Sequence, residues 1–250
     1  MNTATYDYSG ANVLVTGASS GIGHAIATAF AAAGAKVTGT GTRASADDYP
    51  DTDLSAITYR QCQLSDPASI AELTGSLGAL DILINNAGGP YPTRKDEWSA
   101  EGYIDSVTTN LFGPVQITLG CHELLKASTA AGGANVVTIV SMSAFRAAVS
   151  VPGYGSSKAG LISFTMNLAN RWAGDGIRVN TVAPGFIDTR LTHAALGIPQ
   201  VMDFEVGFHT PLNRPGTAED CVGAVLFLCT ESASYITGTS VPVDGGYLTV

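Results

Sequence analysis

Charged residues are scarce in this sequence, and basic residues are the scarcer kind. Only 13% of the residues are charged, and 12 lysines and arginines stand against 21 aspartates and glutamates, for a formal net charge of -9. Proteins that bind nucleic acid neutralise phosphates with basic patches, so this balance argues against a nucleic-acid partner. The low charge also fits a chain that buries much of its surface, in a sheet covered on both faces and at a subunit interface.

Long apolar runs and paired cysteines are missing as well. No stretch approaches the roughly 18 apolar residues of a membrane-spanning helix, and residues 1–10 have neither the basic start nor the apolar core of a signal peptide. The four cysteines form no Cys-x-x-Cys pair and no metal-ligand spacing with the four histidines. We therefore expect a cytoplasmic protein with reduced thiols, no metal site and no membrane attachment.

What the sequence does contain is an alternation of short apolar runs and helical stretches, which is typical of βαβ units. The predicted strands are 12–16, 36–40, 57–61, 82–85, 135–141, 178–182 and 240–243, and the predicted helices begin near Gly21, Pro67, Ala100, Tyr154 and Thr217. Because βαβ crossovers are right-handed, this order predicts an α/β fold with an open, doubly wound parallel sheet of about seven strands and helices on both faces. No linker or repeat interrupts the pattern, so a single domain over residues 1–250 is expected.

The first predicted strand-to-helix turn indicates a dinucleotide. Residues 16–23 read Thr-Gly-Ala-Ser-Ser-Gly-Ile-Gly, follow an apolar strand and open an alanine-rich helix. Glycines in such a turn let the backbone approach a pyrophosphate, whose charge the helix N-terminus favours. A glycine-rich turn can also merely pack tightly, but strand, glycines and helix in this order favour a Rossmann-type cofactor site.

A second pattern places an acid/base pair on one helix face. Tyr154 and Lys158 are four positions apart and so lie one turn from each other. A free tyrosine ionises only at about pH 10, and we expect the Lys158 ammonium to lower the pKa of the phenol. Ser141 follows a predicted strand and could donate a hydrogen bond to a carbonyl oxygen while Tyr154 passes it a proton. Tyr-x-x-x-Lys alone is common by chance, so its interpretation depends on the surrounding motifs.

With both patterns present, the sequence resembles the short-chain dehydrogenase/reductase family over essentially its whole length. Residues 85–88 match the family's Asn-Asn-Ala-Gly motif, and Asn110 matches the asparagine of its catalytic tetrad. Ser141 lies 13 positions before Tyr154, the family's usual spacing, and is therefore chosen over Ser143. Further matches are residues 180–189, similar to the segment that lines the nicotinamide, and Gly238 with 244–246, similar to the C-terminal strand ending.

The resemblance implies an oxidoreductase that transfers a hydride between a nicotinamide cofactor and a carbonyl or secondary alcohol. It implies that Tyr154 is the general acid/base, Lys158 lowers its pKa and holds the nicotinamide ribose, Ser141 polarises the carbonyl, and Asn110 keeps a proton-relaying water. Without the resemblance, Asn110 would be read as a helix-interior amide bonded to backbone. The expected cofactor-binding residues are Gly17, Ser19, Ser20, Gly21, Ile22, Gly23, Thr42, Arg43, Gln63, Leu64, Asn86, Ala87, Gly88, Tyr154, Lys158, Pro184, Gly185, Ile187 and Thr189.

The end of the second strand favours NADP(H) over NAD(H). Gly41 stands where an NAD-preferring relative carries aspartate, and Thr42 and Arg43 could hold a 2′-phosphate by charge-assisted hydrogen bonds. Against this, Ser20 stands where many NADP-preferring relatives carry a basic residue, and an exposed loop arginine is ordinary. Gln63 replaces the aspartate with which relatives often contact the adenine amino group, which puts that contact in doubt.

Residues 190–214 follow the nicotinamide-lining segment and are predicted to form a mobile substrate lid with an apolar inner face. An apolar ketone or secondary alcohol fits best. The expected substrate contacts are Ser141, Phe145, Val149, Leu191 and Phe204, with Pro152, Tyr91 and Trp98 as further candidates. Arg146 could bind a carboxylate or be solvated, and His193 and His209 are expected to be incidental.

Three functions stay open. The favoured one is a carbonyl reductase or alcohol dehydrogenase, because all four tetrad residues are present. The others are a catalytically idle sensor or scaffold that binds dinucleotide, and a lyase or epimerase that uses the cofactor transiently. Relatives are mostly tetramers or dimers, so the resemblance also implies a homotetramer or homodimer.

Overall fold

A seven-stranded parallel sheet forms the centre of the molecule. The computed structural model describes residues 4–250. The strands are β1 Asn12–Val15, β2 Lys36–Gly41, β3 Thr58–Gln61, β4 Ile82–Asn85, β5 Ala134–Ile139, β6 Ile177–Pro184 and β7 Ser240–Val243. They lie in the order β3-β2-β1-β4-β5-β6-β7. From β1 the chain adds strands first on one side and then, from β4 onward, on the other, so the strand order reverses between β1 and β4 while all strands stay parallel. The predicted doubly wound, Rossmann-type α/β fold is therefore confirmed.

Helices cover both faces of this sheet. They are α1 Gly21–Ala32, α2 Pro67–Gly75, α3 Ala100–Val107, α4 Gly113–Gly120, α5 His122–Lys126, α6 Pro152–Trp172, α7 His193–Leu196, α8 Pro199–Val201 and α9 Ala218–Leu228. Two wider π-helical segments, Thr108–Phe112 and Met202–Phe208, follow α3 and α8. Short 3-10 turns lie at Ala46–Asp48, Met142–Ala144, Ala173–Asp175, Glu231–Ala233 and Tyr247–Thr249.

Alternate strand residues pack into opposite helical layers, because successive side chains of a strand point to opposite faces. Val13 and Val15 of β1 lie in the same buried cluster as Phe30 of α1. Leu14, between them, lies in the other cluster with Ile117 of α4. Both faces of the sheet are thus buried, which accounts for the low charge content.

The predicted and observed elements differ at two points that matter for the site. The sequence predicts that β5 reaches Ser141, but it ends at Ile139 because the Ser141 side chain caps the following 3-10 turn. The sequence predicts that α6 begins near Tyr154, and it begins two residues earlier, at Pro152. Proline is favoured in the first helical turn, where its missing N–H costs no hydrogen bond. Tyr154 therefore lies in the first turn, where its own N–H has no partner within the helix.

The predicted lid, residues 190–214, starts and ends close together. The N–H of Asp188 donates to the carbonyl of Gly216 at 2.8 Å, and the N–H of Gly216 donates to Phe186 at 2.8 Å. Between these points the chain forms α7, α8 and the second π-helical segment. The lid's mobility stays a prediction.

Within residues 4–250, no helix has the length and apolar character that crossing a membrane requires. Apolar side chains are nonetheless exposed on neighbouring helices, namely Ile104, Phe112, Leu119 and Met166. Such exposed apolar surface is compatible with subunit contacts. The homotetramer or homodimer stays a prediction.

Candidate active site

A cleft of ≈ 1480 Å³ opens at the carboxyl ends of the strands. Its walls include the turn after β1, the segments that follow β2 to β6, and the start of α6. Open α/β sheets bind ligands at this edge, where the strand order reverses. Of the predicted cofactor-binding residues, Gly23 alone does not line the cleft.

The turn between β1 and α1 lines the cleft with Gly17, Ser19, Ser20, Gly21 and Ile22. Gly17 and Gly21 have φ values of +67° and +56°, in the left-handed region that glycine tolerates. Ser20, the N-cap of α1, makes no side-chain capping hydrogen bond, and the first turn of α1 contains no acidic residue. This helix N-terminus therefore fits the pyrophosphate of a dinucleotide.

Gly23 lies behind this turn. A Cβ at Gly23 would lie 2.2 Å from Nδ2 of Asn86 and 2.2 Å from the carbonyl oxygen of Gly17. Asn86 Nδ2 itself donates to the carbonyls of Thr16 at 3.0 Å and Gly17 at 3.2 Å. The predicted cofactor contact of Gly23 is thus replaced by a packing role, because only glycine lets α1 approach the turn this closely.

Gly23→Ala is expected to lower the free energy of unfolding by about 1–3 kcal/mol, because its methyl group would push Asn86 and the turn apart. Denaturant unfolding measures this change. Gly223→Ala is the matched control, since Gly223 also lies in a helix and its Cβ would meet nothing within 4 Å. Unchanged stability of Gly23→Ala would contradict the packing role.

Tyr154 and Lys158 lie together in the cleft, one turn apart on α6. Lys158 is 3% exposed, and its ammonium donates to the carbonyl of Ile139 at 2.8 Å. The same Nζ lies 5.5 Å from the centroid of the Tyr154 ring. Burial lowers the pKa of Lys158 to about 8.

The expected lowering of the Tyr154 pKa was wrong. Burial raises the pKa of the phenol to about 12, while the hydroxyl of Ser141 opposes this rise and the charge of Glu97 adds to it. The Lys158 ammonium is directed at the Ile139 carbonyl, so desolvation of the phenol dominates. The phenol is therefore protonated at neutral pH, as a proton donor must be.

Ser141 lies two residues beyond the end of β5 and lines the same cleft as Tyr154. Its Oγ accepts a hydrogen bond from the Ser143 N–H at 3.1 Å, which leaves its own proton available. Ser143 also lines the cleft, and its hydroxyl makes no hydrogen bond within the described part of the chain. Ser141 is therefore the serine placed to donate to a substrate oxygen, and it also acts on Tyr154, whereas the Ser143 hydroxyl is buried.

Asn110 is fully buried in the π-helical segment after α3 and does not line the cleft. Its Oδ1 accepts from the N–H of Gly89 at 2.8 Å, and its Nδ2 donates to the carbonyls of Gly89 and Ser106, both at 3.0 Å. The amide thus anchors the loop after β4 to α3. The water relay implied by the resemblance stays a prediction.

Arg43, two residues beyond the end of β2, brings a positive charge to the cleft lining. The guanidinium of Arg43 lies over the Tyr49 ring at 4.9 Å and donates to the Asp48 carbonyl. The Tyr49 hydroxyl accepts from the N–H of Arg43 at 3.0 Å and fills the space beside Gly41. Gln63 donates its amide to the carbonyl of Thr42 at 3.0 Å.

The predicted substrate residues divide into two groups. Ser141, Val149 and Leu191 line the cleft, whereas Phe145 and Phe204 do not and are 47% and 57% exposed. Phe204 instead stacks on Phe208 on the outside of the predicted lid, with ring centroids 6.3 Å apart. Pro152, Tyr91 and Trp98 also lie outside the cleft lining, as do His193 and His209. The inner face of the lid is therefore less aromatic than the sequence suggests.

Some cleft residues were not predicted. Glu205 and Tyr247 line the substrate end, where the Tyr247 hydroxyl donates to Glu205 at 2.7 Å. Arg146, for which the sequence left open a carboxylate contact or solvation, lies in the same lining. Tyr49 lines the opposite end. These residues come from loops that are distant in sequence and carry no local motif, so only the fold brings them together.

Comparison with known proteins agrees with this geometry. The family model described as Enoyl-(Acyl carrier protein) reductase matches residues 17–248. The 3-oxoacyl-acyl-carrier-protein reductase of Escherichia coli is 35% identical over 250 residues, which cover 96% of this chain and 98% of that protein. A tropinone reductase homologue of Arabidopsis thaliana is 35% identical over 252 residues, which cover 97% of this chain and 94% of that protein. A solved Agrobacterium tumefaciens structure, described as a 2-deoxy-D-gluconate 3-dehydrogenase with bound NADP, has 32% identity, a TM-score of 0.87 and coverage of 99% and 100% of the two chains.

Proposed function

This chain belongs to the short-chain dehydrogenase/reductase family of oxidoreductases, and on that premise we propose that it is a carbonyl reductase or alcohol dehydrogenase that prefers NADP(H). The observation that carries the proposal is the meeting of Ser141, Tyr154 and Lys158 in one cleft with the glycine-rich turn. A proton donor, a hydroxyl and a cation thus surround the place where a carbonyl oxygen would lie.

The dinucleotide would lie along the strand ends. The N-terminus of α1 would hold the pyrophosphate, Arg43 and Thr42 the 2′-phosphate on the adenosine ribose, and Lys158 the nicotinamide ribose. When bound, the nicotinamide supplies or accepts the hydride at the substrate carbon. The left-handed glycines and the uncapped helix start support this placement.

The chain's own residues would move the proton. In the reducing direction, Ser141 donates a hydrogen bond to the carbonyl oxygen, and Tyr154 gives it a proton. The raised pKa of Tyr154, about 12, keeps the proton on the phenol until the oxygen becomes more basic. Burial outweighs the Lys158 charge while the phenol is protonated. Below its pKa of about 8, Lys158 is cationic with its Nζ 5.5 Å from the Tyr154 ring centroid, and its charge would favour the phenolate once the proton has left. This set of pKa values favours carbonyl reduction near neutral pH.

The substrate proposed for this site is a largely apolar ketone. This proposal is supported by the apolar residues that line the substrate end, which are Pro90, Pro92, Ala147, Ala148, Val149, Leu191 and Val201. A ketone that carries a carboxylate is the second candidate, favoured by the Arg146 guanidinium in the same lining. The two candidate substrates are distinguished by comparing reduction rates for apolar ketones and keto acids of equal length, each assayed with NADPH and with NADH.

The same assay tests the reaction class by following loss of the reduced nicotinamide's absorbance. Net oxidation of NADPH by a ketone supports the proposal. Nucleotide binding without turnover across the panel would favour the idle sensor or scaffold instead. Conversion of substrate without a net change in the nucleotide would favour a lyase or epimerase.

For cofactor preference, Arg43→Ala is expected to weaken NADPH binding by roughly 10- to 100-fold, because a charge-assisted hydrogen bond to the 2′-phosphate is lost. NADH binding should stay within about twofold, since NADH lacks that phosphate. Fluorescence titration of each nucleotide measures both affinities without turnover. Arg60→Ala, at an exposed arginine of the neighbouring strand β3, is the matched control. Equal losses for both nucleotides would remove the phosphate contact from Arg43.

A further inference from the structure

Glu97 is a fully buried carboxylate next to the candidate active site. Its Oε1 accepts from the N–H of Tyr91 at 2.9 Å and the hydroxyl of Ser106 at 3.1 Å, and its Oε2 accepts from the N–H of Tyr154 at 2.8 Å. Among the residues described, no lysine, arginine or histidine forms an ion pair with it. A buried charge with neutral donors alone is costly. The cost of removing this carboxylate from water is offset by these hydrogen bonds and by the N-terminus of the 21-residue helix α6, whose dipole favours a negative charge.

The first contact is with the start of α6. Because Tyr154 lies in the first turn, its N–H has no intrahelical acceptor, and Glu97 supplies one from outside the helix. Gly153 permits this approach: a Cβ there would lie 2.9 Å from Cβ of Ser106 and 3.2 Å from Oε2 of Glu97. The carboxylate therefore holds the backbone from which the Tyr154 phenol projects into the cleft.

The second contact is with the loop after β4. Tyr91 has a φ of +48°, which is uncommon for a residue with a side chain, and its N–H is held by Glu97. The Tyr91 hydroxyl donates to the carbonyl of Ser150, and the Trp98 indole donates to the carbonyl of Val149 at 2.7 Å. Ser150 and Val149 line the cleft. Glu97 thus joins the two loops that flank the cleft mouth.

The third contact continues to the tetrad asparagine. Ser106 donates to Glu97 and accepts from Nδ2 of Asn110 at 3.3 Å. Asn110 in turn holds Gly89, which lines the cleft. One hydrogen-bonded chain therefore connects the backbone of Tyr154 to the loop beside it.

We propose that Glu97 is a positioning residue for proton transfer, which fixes the Tyr154 backbone and the loop of residues 89–98 relative to each other. The proposal rests on the proposed function, in which Tyr154 is the acid/base. Glu97 also acts through its charge, which adds to burial in raising the pKa of Tyr154 and so keeps the phenol protonated. Positioning and charge both point to a carboxylate rather than an amide at this place.

Glu97→Gln separates these roles from simple space filling. Glutamine keeps the shape, but its Nε2 cannot accept a hydrogen bond, so one backbone N–H loses its partner. We expect kcat for ketone reduction to fall by roughly 10- to 100-fold, because small misplacement of a catalytic group is costly. KM for NADPH should stay within about twofold. The acid limb of alcohol oxidation, followed at alkaline pH because the pKa of Tyr154 is raised to about 12, should move to lower pH by on the order of half a unit, since loss of the negative charge lowers that pKa.

Two variants control this experiment. Glu72→Gln removes the same charge from an exposed position on α2, and both rate and pH limb should be unchanged. Glu97→Asp keeps the charge on a shorter side chain, so kcat should fall while the pH limb stays near that of the wild type. A folded Glu97→Gln protein with wild-type kcat and an unmoved limb would overturn the proposal.

Amide hydrogen exchange of the unaltered protein provides a test that needs neither a folded variant nor turnover. The Tyr154 amide should exchange slowly, and more slowly than the buried Gly153 amide in the same turn, for which residues 4–250 offer no acceptor. Fast exchange at Tyr154 would overturn the Glu97 contact. A protected Tyr154 amide in a protein that reduces no ketone would instead leave the contact standing and refute the proposed function.

Discussion

Tyr154→Phe is expected to reduce ketone reduction by roughly 10²- to 10⁴-fold, the range that general acid catalysis contributes. The change removes one oxygen and leaves the ring that packs beside Lys158. NADPH affinity, measured by fluorescence titration, should stay within about threefold, because one cofactor contact at most is lost. The loss should therefore appear in kcat, as for an interaction made in the transition state.

The matched control is Tyr235→Phe, which removes a hydroxyl from a fully exposed tyrosine. It should leave both turnover and nucleotide affinity unchanged. Turnover of Tyr154→Phe at more than about a tenth of the wild-type rate would remove the phenol from the mechanism. Loss of nucleotide binding in Tyr154→Phe would mean that the change disturbs the cleft rather than the chemistry.

Lys158→Met is expected to lower kcat/KM for reduction by roughly 10²-fold, because the cation that stabilises the developing phenolate is gone. Methionine fills much of the same buried space without a charge. NADPH should also bind less tightly, since Lys158 is proposed to hold the nicotinamide ribose. Steady-state rates at saturating and limiting NADPH separate the two effects.

The pH dependence gives a sharper test of Lys158. The pKa of a buried ammonium is lowered, so the charge is present below about pH 8 and lost above it. The wild-type kcat/KM for reduction should therefore decline as the pH rises through about 8, and Lys158→Met should lack this decline. Lys36→Met, at an exposed lysine where β2 begins, should keep it. Persistence of the decline in Lys158→Met would assign it to another group.

Much of the fold could be predicted because its signals are local. Strand β4 and the starts of α1, α2 and α3 lie where the pattern of apolar residues, glycine and proline predicts them. Of the residues that the motifs indicate, Ser141, Tyr154 and Lys158 line one cleft, whereas Gly23 and Asn110 do not, and their roles stay predictions. Phe145 and Phe204 were misplaced because hydrophobicity does not tell which side of a loop faces the cleft.

The sequence by itself determined the α/β architecture, the glycine-rich turn and the pairing of Tyr154 with Lys158, because each depends on residues a few positions apart. The tertiary structure alone decided the sign of the Tyr154 pKa shift and the contacts of Glu97. Desolvation depends on everything packed around a group, and Glu97 meets a backbone 57 positions away in the chain. The desolvation of Tyr154 and its contact with Glu97 arise only when distant segments come together, so no local sequence pattern encodes them.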